Sequence, residues 1–183
     1  TATVVASLFN NLHDNCNIIV KEAPSSLKFN KKRLNMGIGE EFDLKAIIPD
    51  NSASHITMHS SNPRVADVDE NGRIKTVGLG TAEIIAQTFN GLSAKCTVTV
   101  KEAPTDITLN TSDLTIKAGE TFKLSAKLPK GTASNELIFR SSDPSVCKID
   151  KSTGVITAKS PGVSRVSVTT YNGESESIEV DVV

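Results

Sequence analysis

The feature that most constrains this 183-residue chain is that it repeats itself. Val20-Lys21-Glu22-Ala23-Pro24 returns as Val100-Lys101-Glu102-Ala103-Pro104, a shift of 80 positions (101 − 21 = 80). Gly39-Glu40 with Phe42 and Leu44 returns as Gly119-Glu120 with Phe122 and Leu124. Ser60-Ser61-Asn62-Pro63 returns as Ser141-Ser142-Asp143-Pro144, and Phe89-Asn90-Gly91 as Tyr171-Asn172-Gly173. The slow drift in spacing needs only two single-residue insertions, one after Pro129 and one at Ser152-Thr153. A fixed period of this length indicates a tandem array. Residues 1–20 also align with 81–100 without a gap. The repeat therefore divides the chain into three parts. Residues 1–22 are the last two strands of a preceding copy plus a linker, and residues 23–102 and 103–183 are two full copies. Thr1 falls inside a copy, so the chain reads as a fragment or a processed product. Its opening hairpin, marginal in isolation, is expected to pack on a neighbour or to belong to a domain whose other strands lie elsewhere.

Within each copy the apolar residues alternate. Phe42, Leu44, Ala46 and Ile48 keep period two, as do Ala82, Ile84, Ala86 and Thr88, then Ala94, Cys96, Val98 and Val100. This is the pattern of half-buried strands. Pro49-Asp50-Asn51-Ser52, Asp69-Glu70-Asn71-Gly72 and Asn90-Gly91 interrupt it with turn chemistry. Asn71-Gly72 suits a type I′ hairpin. No window keeps helical periodicity over three turns. Seven or eight short strands per copy predict an all-β fold of tandem β-sandwiches.

Composition removes several function classes. The formal charge is −1, from 20 basic and 21 acidic residues, so no global field favours nucleic acid or an anionic membrane. No run of about 18 apolar residues is present for direct membrane insertion. Aromatic residues make up 4% of the chain and Trp is absent, which leaves few rings for stacking on sugars.

The residues that could carry chemistry each have a plainer reading. His55 and His59 would lie roughly 13 Å apart along a strand, too far to share one ion. Asp67, Asp69 and Glu70, with Asp143 and Asp150 in the second copy, invite a calcium reading, yet no spaced ligand loop accompanies them. They read as solvated turns, so no metal and no cofactor is expected. Lys28, Lys31, Lys32 and Arg33 gather around one turn, but the second copy has Thr108, Thr111, Ser112 and Asp113 there. The group reads as a solvated face, with binding of an anionic cell-wall polymer as the lesser alternative. Cys16 and Cys96 are equivalent and Cys147 replaces Ala66, so no copy can close its own disulfide. All three are expected to be buried thiols. Phe9, Phe89 and Tyr171 stand at one repeated position before a hairpin turn. Phe89 and Tyr171 are candidate ligand or packing positions, and recurrence favours packing. Nucleophilic catalysis lacks its parts, because the last copy contains no histidine and no Gly-x-Ser-x-Gly elbow occurs. No catalytic residue is assigned, and the chain does not read as an enzyme.

The ordered motifs Gly39-Glu40, Met58-His59-Ser60-Ser61-Asn62-Pro63, Val65-Ala66-Asp67-Val68-Asp69, Asn71-Gly72, Gly80-Thr81-Ala82-Glu83-Ile84 and Cys96-Thr97-Val98-Thr99-Val100 resemble the bacterial immunoglobulin-like domain, group 2, of intimin- and invasin-type proteins. In the second copy Phe139 stands at the family's Trp position and Cys147 at its Ala. The resemblance covers essentially the whole chain and implies tandem immunoglobulin-like sandwiches. It also implies a non-catalytic stalk, spacer or adhesion module of a secreted or surface-anchored bacterial protein. Its partners would be other domains of the same protein, with a host-surface protein or a cell-wall or host glycan as further partners. The alternatives are a glycan- or host-protein-binding accessory module of a secreted enzyme, and an immunoglobulin-like domain of a phage virion. In this frame Val20, Lys21, Glu22, Ala23 and Pro24, and their counterparts Val100, Lys101, Glu102, Ala103 and Pro104, are inter-domain linkers. Val20 and Val100 would end a strand, and each proline fixes φ as the next sandwich begins.

Overall fold

A computed structural model describes residues 1–183 and contains strands and turns but no helix. The chain opens with a hairpin of β1 (Ala2–Ser7) and β2 (His13–Ile18), which pair only with each other. Nine strands follow: β3 (Lys28–Phe29), β4 (Arg33–Gly37), β5 (Glu41–Asp43), β6 (Ala46–Ile47), β7 (Ile56–Ser60), β8 (Ala66–Val68), β9 (Arg73–Thr76), β10 (Gly80–Thr88) and β11 (Ser93–Lys101). They form one four-stranded sheet in the order β4-β11-β10-β7, a three-stranded sheet β5-β9-β8 and a small pair β3-β6. The second set is β12 (Thr108–Leu109), β13 (Asp113–Ile116), β14 (Thr121–Lys123), β15 (Ala126–Lys127), β16 (Ile138–Ser141), β17 (Cys147–Ile149), β18 (Val155–Ala158), β19 (Gly162–Thr169) and β20 (Ser175–Val182). It has the same plan: β13-β20-β19-β16, β14-β18-β17 and β12-β15.

In each unit the long hairpin is the spine. β10 pairs antiparallel with β11 from Gly80↔Val100 to Gln87↔Ser93, and β4 adds in parallel along the outer edge of β11. Alternation points Ala82, Ile84 and Ala86 inward from β10, with Cys96, Val98 and Val100 beside them from β11. The three-stranded sheet covers them with Ala66 and Ile74, joined by Leu44 just beyond β5. The second unit has its own separate core, with Ile156, Val166, Val168, Val180 and Val182 in the corresponding places. Each unit therefore excludes water for itself, and burial of this kind is the main favourable term in holding a small sandwich together.

Several expectations need correction. The apolar beat from Phe42 to Ile48 does not form one strand. β5 pairs with β9 and β6 with β3, so the chain changes sheets at Leu44-Lys45 while its inward and outward faces keep alternating. Asn71-Gly72 is not a type I′ turn. Gly72 alone of the two has positive φ (86°), with Gly72 N–H donating to the Asp69 carbonyl and Asp69 N–H to the Arg73 carbonyl. That is a three-residue loop with a left-handed glycine at its end. The same loop recurs at Thr88–Leu92, with Gly91 at φ 86°, and in β1–β2, where Asn11 takes the left-handed place at φ 64°. Each set holds nine strands rather than seven or eight, because two-residue pairs such as β3-β6 are too short to leave a periodic signal.

The opening hairpin leaves its inward-type residues uncovered, which departs from the buried thiol expected at Cys16. Val4, Ile18 and Val20 are exposed, whereas their counterparts Ile84, Val98 and Val100 are buried. Cys16 is likewise an exposed thiol, while Cys96 and Cys147 are buried. The hairpin has the pairing of the spine but neither a second sheet nor edge strands to cover it. It does not pack on the rest of the chain. β2 also ends at Ile18, so Val20 lies beyond the strand, whereas Val100 lies within β11.

A candidate functional site at the joint between the two units

The connector carries its own hydrogen bonds in both directions. The Lys101 carbonyl accepts from Ile38 N–H (2.9 Å) in the first unit, and the Glu102 carbonyl accepts from Ala133 N–H (3.1 Å) in the second. Glu102 also forms a parallel bridge with Thr132. Pro104 is buried, and its carbonyl accepts from Asn172 Nδ2 at 2.8 Å. Proline offers no N–H and fixes φ, so it limits the conformations open to the connector where the second unit begins.

Above the connector, the turn between β4 and β5 meets two loops of the second unit. The turn is Gly37-Ile38-Gly39-Glu40, closed by Glu40 N–H to the Gly37 carbonyl at 3.2 Å. Gly39 sits at φ 82°, which a side chain would resist. Buried Thr76 braces the turn, its hydroxyl donating to the Gly37 carbonyl (2.7 Å) or the Glu40 carbonyl (2.9 Å). From the second unit, the loop between β19 and β20 brings Tyr171, whose hydroxyl donates to the Ile38 carbonyl at 2.6 Å. The loop before β16 brings Asn135, whose N–H donates to Glu40 Oε1 (2.9 Å) and Oε2 (3.1 Å). Glu40 Oε2 also accepts from Gly37 N–H at 2.9 Å.

Glu40 is 4% exposed, yet its carboxylate is served entirely by backbone donors. Burial pushes its pKa above the ordinary carboxyl value, and the hydrogen bonds from Gly37 and Asn135 work against that shift. Burial, followed by the nearby Glu40 charge, raises the Tyr171 phenol as well. Gly37 is what permits the approach. A Cβ there would overlap the Tyr171 hydroxyl and lie 2.6 Å from the Ala133 carbonyl oxygen.

Of the residues singled out from sequence, the joint uses Lys101, Glu102, Pro104 and Tyr171. Phe89 does not pack as its repeated position suggested: it is 68% exposed, and Phe9 is fully exposed. His55 and His59 are exposed on and beside β7. The acidic residues serve their own turns. Asp69 Oδ1 accepts from Asn71 and Arg73 N–H, and Asp150 Oδ1 accepts from Ser152 and Thr153. These hydrogen bonds hold both carboxyls below the usual range. Lys28, Lys31, Lys32 and Arg33 all face solvent. No group of three or more His, Cys, Asp or Glu side chains is placed to hold a metal ion. Beside the joint lies an open cleft of about 380 Å³ that includes Glu40, Glu41, Asp43 and Tyr171, and Arg73 already pairs with Glu41 and Asp43.

Gly37, Ile38, Ala133 and Asn135 were not singled out from sequence, and Glu40 entered only as part of the repeated Gly-Glu pair. One signal was there to be used. Gly37 corresponds to Lys117, a break in the repeat beside the otherwise repeated Gly-Glu pair.

Comparison with known proteins finds several that are similar to this chain. An uncharacterized protein of Clostridium acetobutylicum is 31% identical over 156 residues, covering 82% of this chain and 16% of that protein. An Ig-like virion protein of Serratia phage KSP90 is 26% identical over 149 residues, covering 77% of this chain and 58% of that protein. The chain thus spans less than two thirds of either relative. Among solved structures, domains 4 and 5 of the S-layer protein SbsC align over 88% of this chain and 100% of that one, at 18% identity and a TM-score of 0.38. The family model for the bacterial Ig-like domain (group 2) matches residues 103–180. That stretch of the chain belongs to the bacterial Ig-like domain family, group 2.

Proposed function

We propose that the chain is a non-catalytic spacer within a secreted or surface-attached bacterial protein. In this reading residues 23–102 and 103–183 are two tandem domains, and residues 1–22 supply the last two strands and linker of another. The function is mechanical. A row of sandwiches held end to end keeps whatever it carries at a defined distance, provided the joints resist bending. The observation that carries the reading is the bonding at the joint, where Tyr171, Asn135 and Glu40 tie the second unit to the first above a hydrogen-bonded connector. A charged acceptor such as the Glu40 carboxylate makes a hydrogen bond worth about 1.5–3 kcal/mol, enough to favour one arrangement over many. Other domains of the same protein are the partners this role requires, and a host-surface protein or a glycan would be a further partner of the whole protein.

The test is small-angle scattering of the full chain beside two variants: Tyr171→Ala/Glu40→Ala, and a Gly-Ser insertion after Glu102. A spacer gives a narrow size distribution in the wild type and a broader one in both variants. Three indistinguishable profiles would overturn the reading.

A second reading is an element of a phage virion, and the virion relative, which aligns with 77% of this chain at 26% identity, favours it. Recovery of the chain in purified particles would select that reading. Recovery in a cell-surface fraction would select the first.

A further inference from the structure

We propose that the end of the first unit around Phe89 is a docking surface for another Ig-like sandwich, and that Phe89 does there what Tyr171 does at the joint described above. The inference rests on reading the β1–β2 hairpin as the last two strands of such a sandwich.

The two ends match contact by contact. At the second unit, Ala133 N–H donates to the Glu102 carbonyl, Glu102 bridges Thr132, and Asn172 Nδ2 donates to the Pro104 carbonyl. At the first unit, Ala53 N–H donates to the Glu22 carbonyl (3.1 Å), Glu22 bridges Ser52, and Asn90 Nδ2 donates to the Pro24 carbonyl (2.9 Å). The loop that carries Phe89 closes through Gly91 as the Tyr171 loop closes through Gly173. Everything that positions the ring is therefore built twice. What is missing is the surface that the ring meets, and Phe89 is 68% exposed as a result.

The occupant follows from the joint that is filled. Tyr171 meets the β4–β5 turn of a sandwich whose last strand leads into Lys101-Glu102. The strand that leads into Lys21-Glu22 is β2, and β1–β2 carries inward-type residues, Val4, Cys16 and Ile18, whose equivalents in the spine of the first unit are buried. A sandwich completed on β1–β2 would present its own β4–β5-type turn above Phe89. Phenylalanine has no hydroxyl to offer a carbonyl, so this contact is apolar. It needs a small residue at the position of Gly37, where any Cβ would collide with the incoming ring. Lys117 holds that position in the second unit, so the far end of that unit does not offer the same seat.

The experiment extends the full chain rather than dissecting it. Residues 24–80 are placed directly before Thr1, so that β1–β2 receives the strands that β10–β11 receive in the first unit. Cys16 then reports whether the added sandwich forms, and the Phe89 ring reports whether it docks. The expected result is at least a tenfold loss of Cys16 labelling by a maleimide, together with ring-to-methyl NOEs between Phe89 and the added copy of Ile38. Phe89→Ala should broaden the size distribution of the extended chain without restoring Cys16 labelling. Phe89→Tyr should keep it narrow. If Cys16 stays reactive, the hairpin reading fails and the proposal with it. If Cys16 is protected but Phe89 makes no contact, or Phe89→Ala changes nothing, the hairpin reading stands and the docking proposal is overturned.

Discussion

Gly37 decides whether the two units can approach each other. It needs no unusual backbone, for its φ is not among the positive ones. The requirement is space, since Tyr171 and the Ala133 carbonyl occupy the place of a Cβ. Gly37→Ala should therefore leave both cores intact and displace Tyr171 from the Ile38 carbonyl, a loss of about 1 kcal/mol for a neutral hydrogen bond. Amide exchange at Asn135 should quicken severalfold while exchange at Val98 and Val168 stays unchanged. Quickening at all three sites, or no change at Asn135, would contradict this role. Glu40 gives a second prediction through pH. Its pKa is raised in the folded chain, so the folded state holds its proton to higher pH than the unfolded state. Stability from this group is complete below the unfolded value and is lost as pH rises through the folded one. In Glu40→Gln that loss should vanish. Across thermal melts from about pH 4 upward, the wild type should decline relative to the variant. Subtracting the two series removes Asp69, Asp143 and Asp150, whose lowered pKa values produce the opposite slope on acidification. The sequence displayed Gly37 only as a mismatch with Lys117. Alternation reports which face of a strand is buried, whereas contact between two turns leaves no period to detect.

One hairpin pattern appears in this chain in three settings, and its neighbours rather than its sequence decide its burial. β10–β11 and β19–β20 are covered by a second sheet, and β1–β2 is not. The alternating pattern made all three legible as hairpins with a definite inner face. Alternation is a property of the segment, however, and the covering sheet comes from the residues that precede it in the repeat, 41–76 in the first unit, so the exposure of β1–β2 could not be read from the segment itself. The turns were legible in place but not in type, because Asn-Gly is compatible with more than one loop and the hydrogen bond between Gly72 and Asp69 selects the three-residue form. Thiol labelling separates the uncovered hairpin from the two covered units, because Cys16 lies on β2, Cys96 on β11 and Cys147 on β17 of the second unit's covering sheet. Cys16 should react at once in the native chain. Cys147 should wait for unfolding, and so should Cys96, whose pKa burial pushes up to about 11. A native chain that also labels at Cys96 would show that the β10–β11 hairpin opens readily, and one that labels at Cys147 would show the same of the β17–β18 pair.

At the scale of the molecule, the two units are bound by a joint but do not share a core. No residue of one buried cluster belongs to the other. The 80-residue period predicts such a separation, since each copy carries a complete set of inward positions. It could not reveal how strongly the copies are coupled. Large-to-small changes in each core measure that coupling. Ile84 lies on the four-stranded sheet of the first unit and Ile156 on the three-stranded sheet of the second, and both are fully buried in the core of their own unit. Replacing either by Ala should cost about 2–5 kcal/mol, a fall of roughly 4–8 °C in Tm for each kcal/mol in a unit of this size. Ile84→Ala should move the melting of the first unit, read by Cys96 labelling, and Ile156→Ala that of the second, read by Cys147. Because the joint joins backbone groups on both sides, melting of one unit removes the partner of Tyr171 or of Glu40 from the other. A small secondary shift in the unsubstituted unit should therefore accompany each change. That secondary shift should disappear when Gly37→Ala is added, since the route between the cores is then broken. If the two units instead melt as one under every substitution, they form a single cooperative body and a joint of a few hydrogen bonds does not describe them.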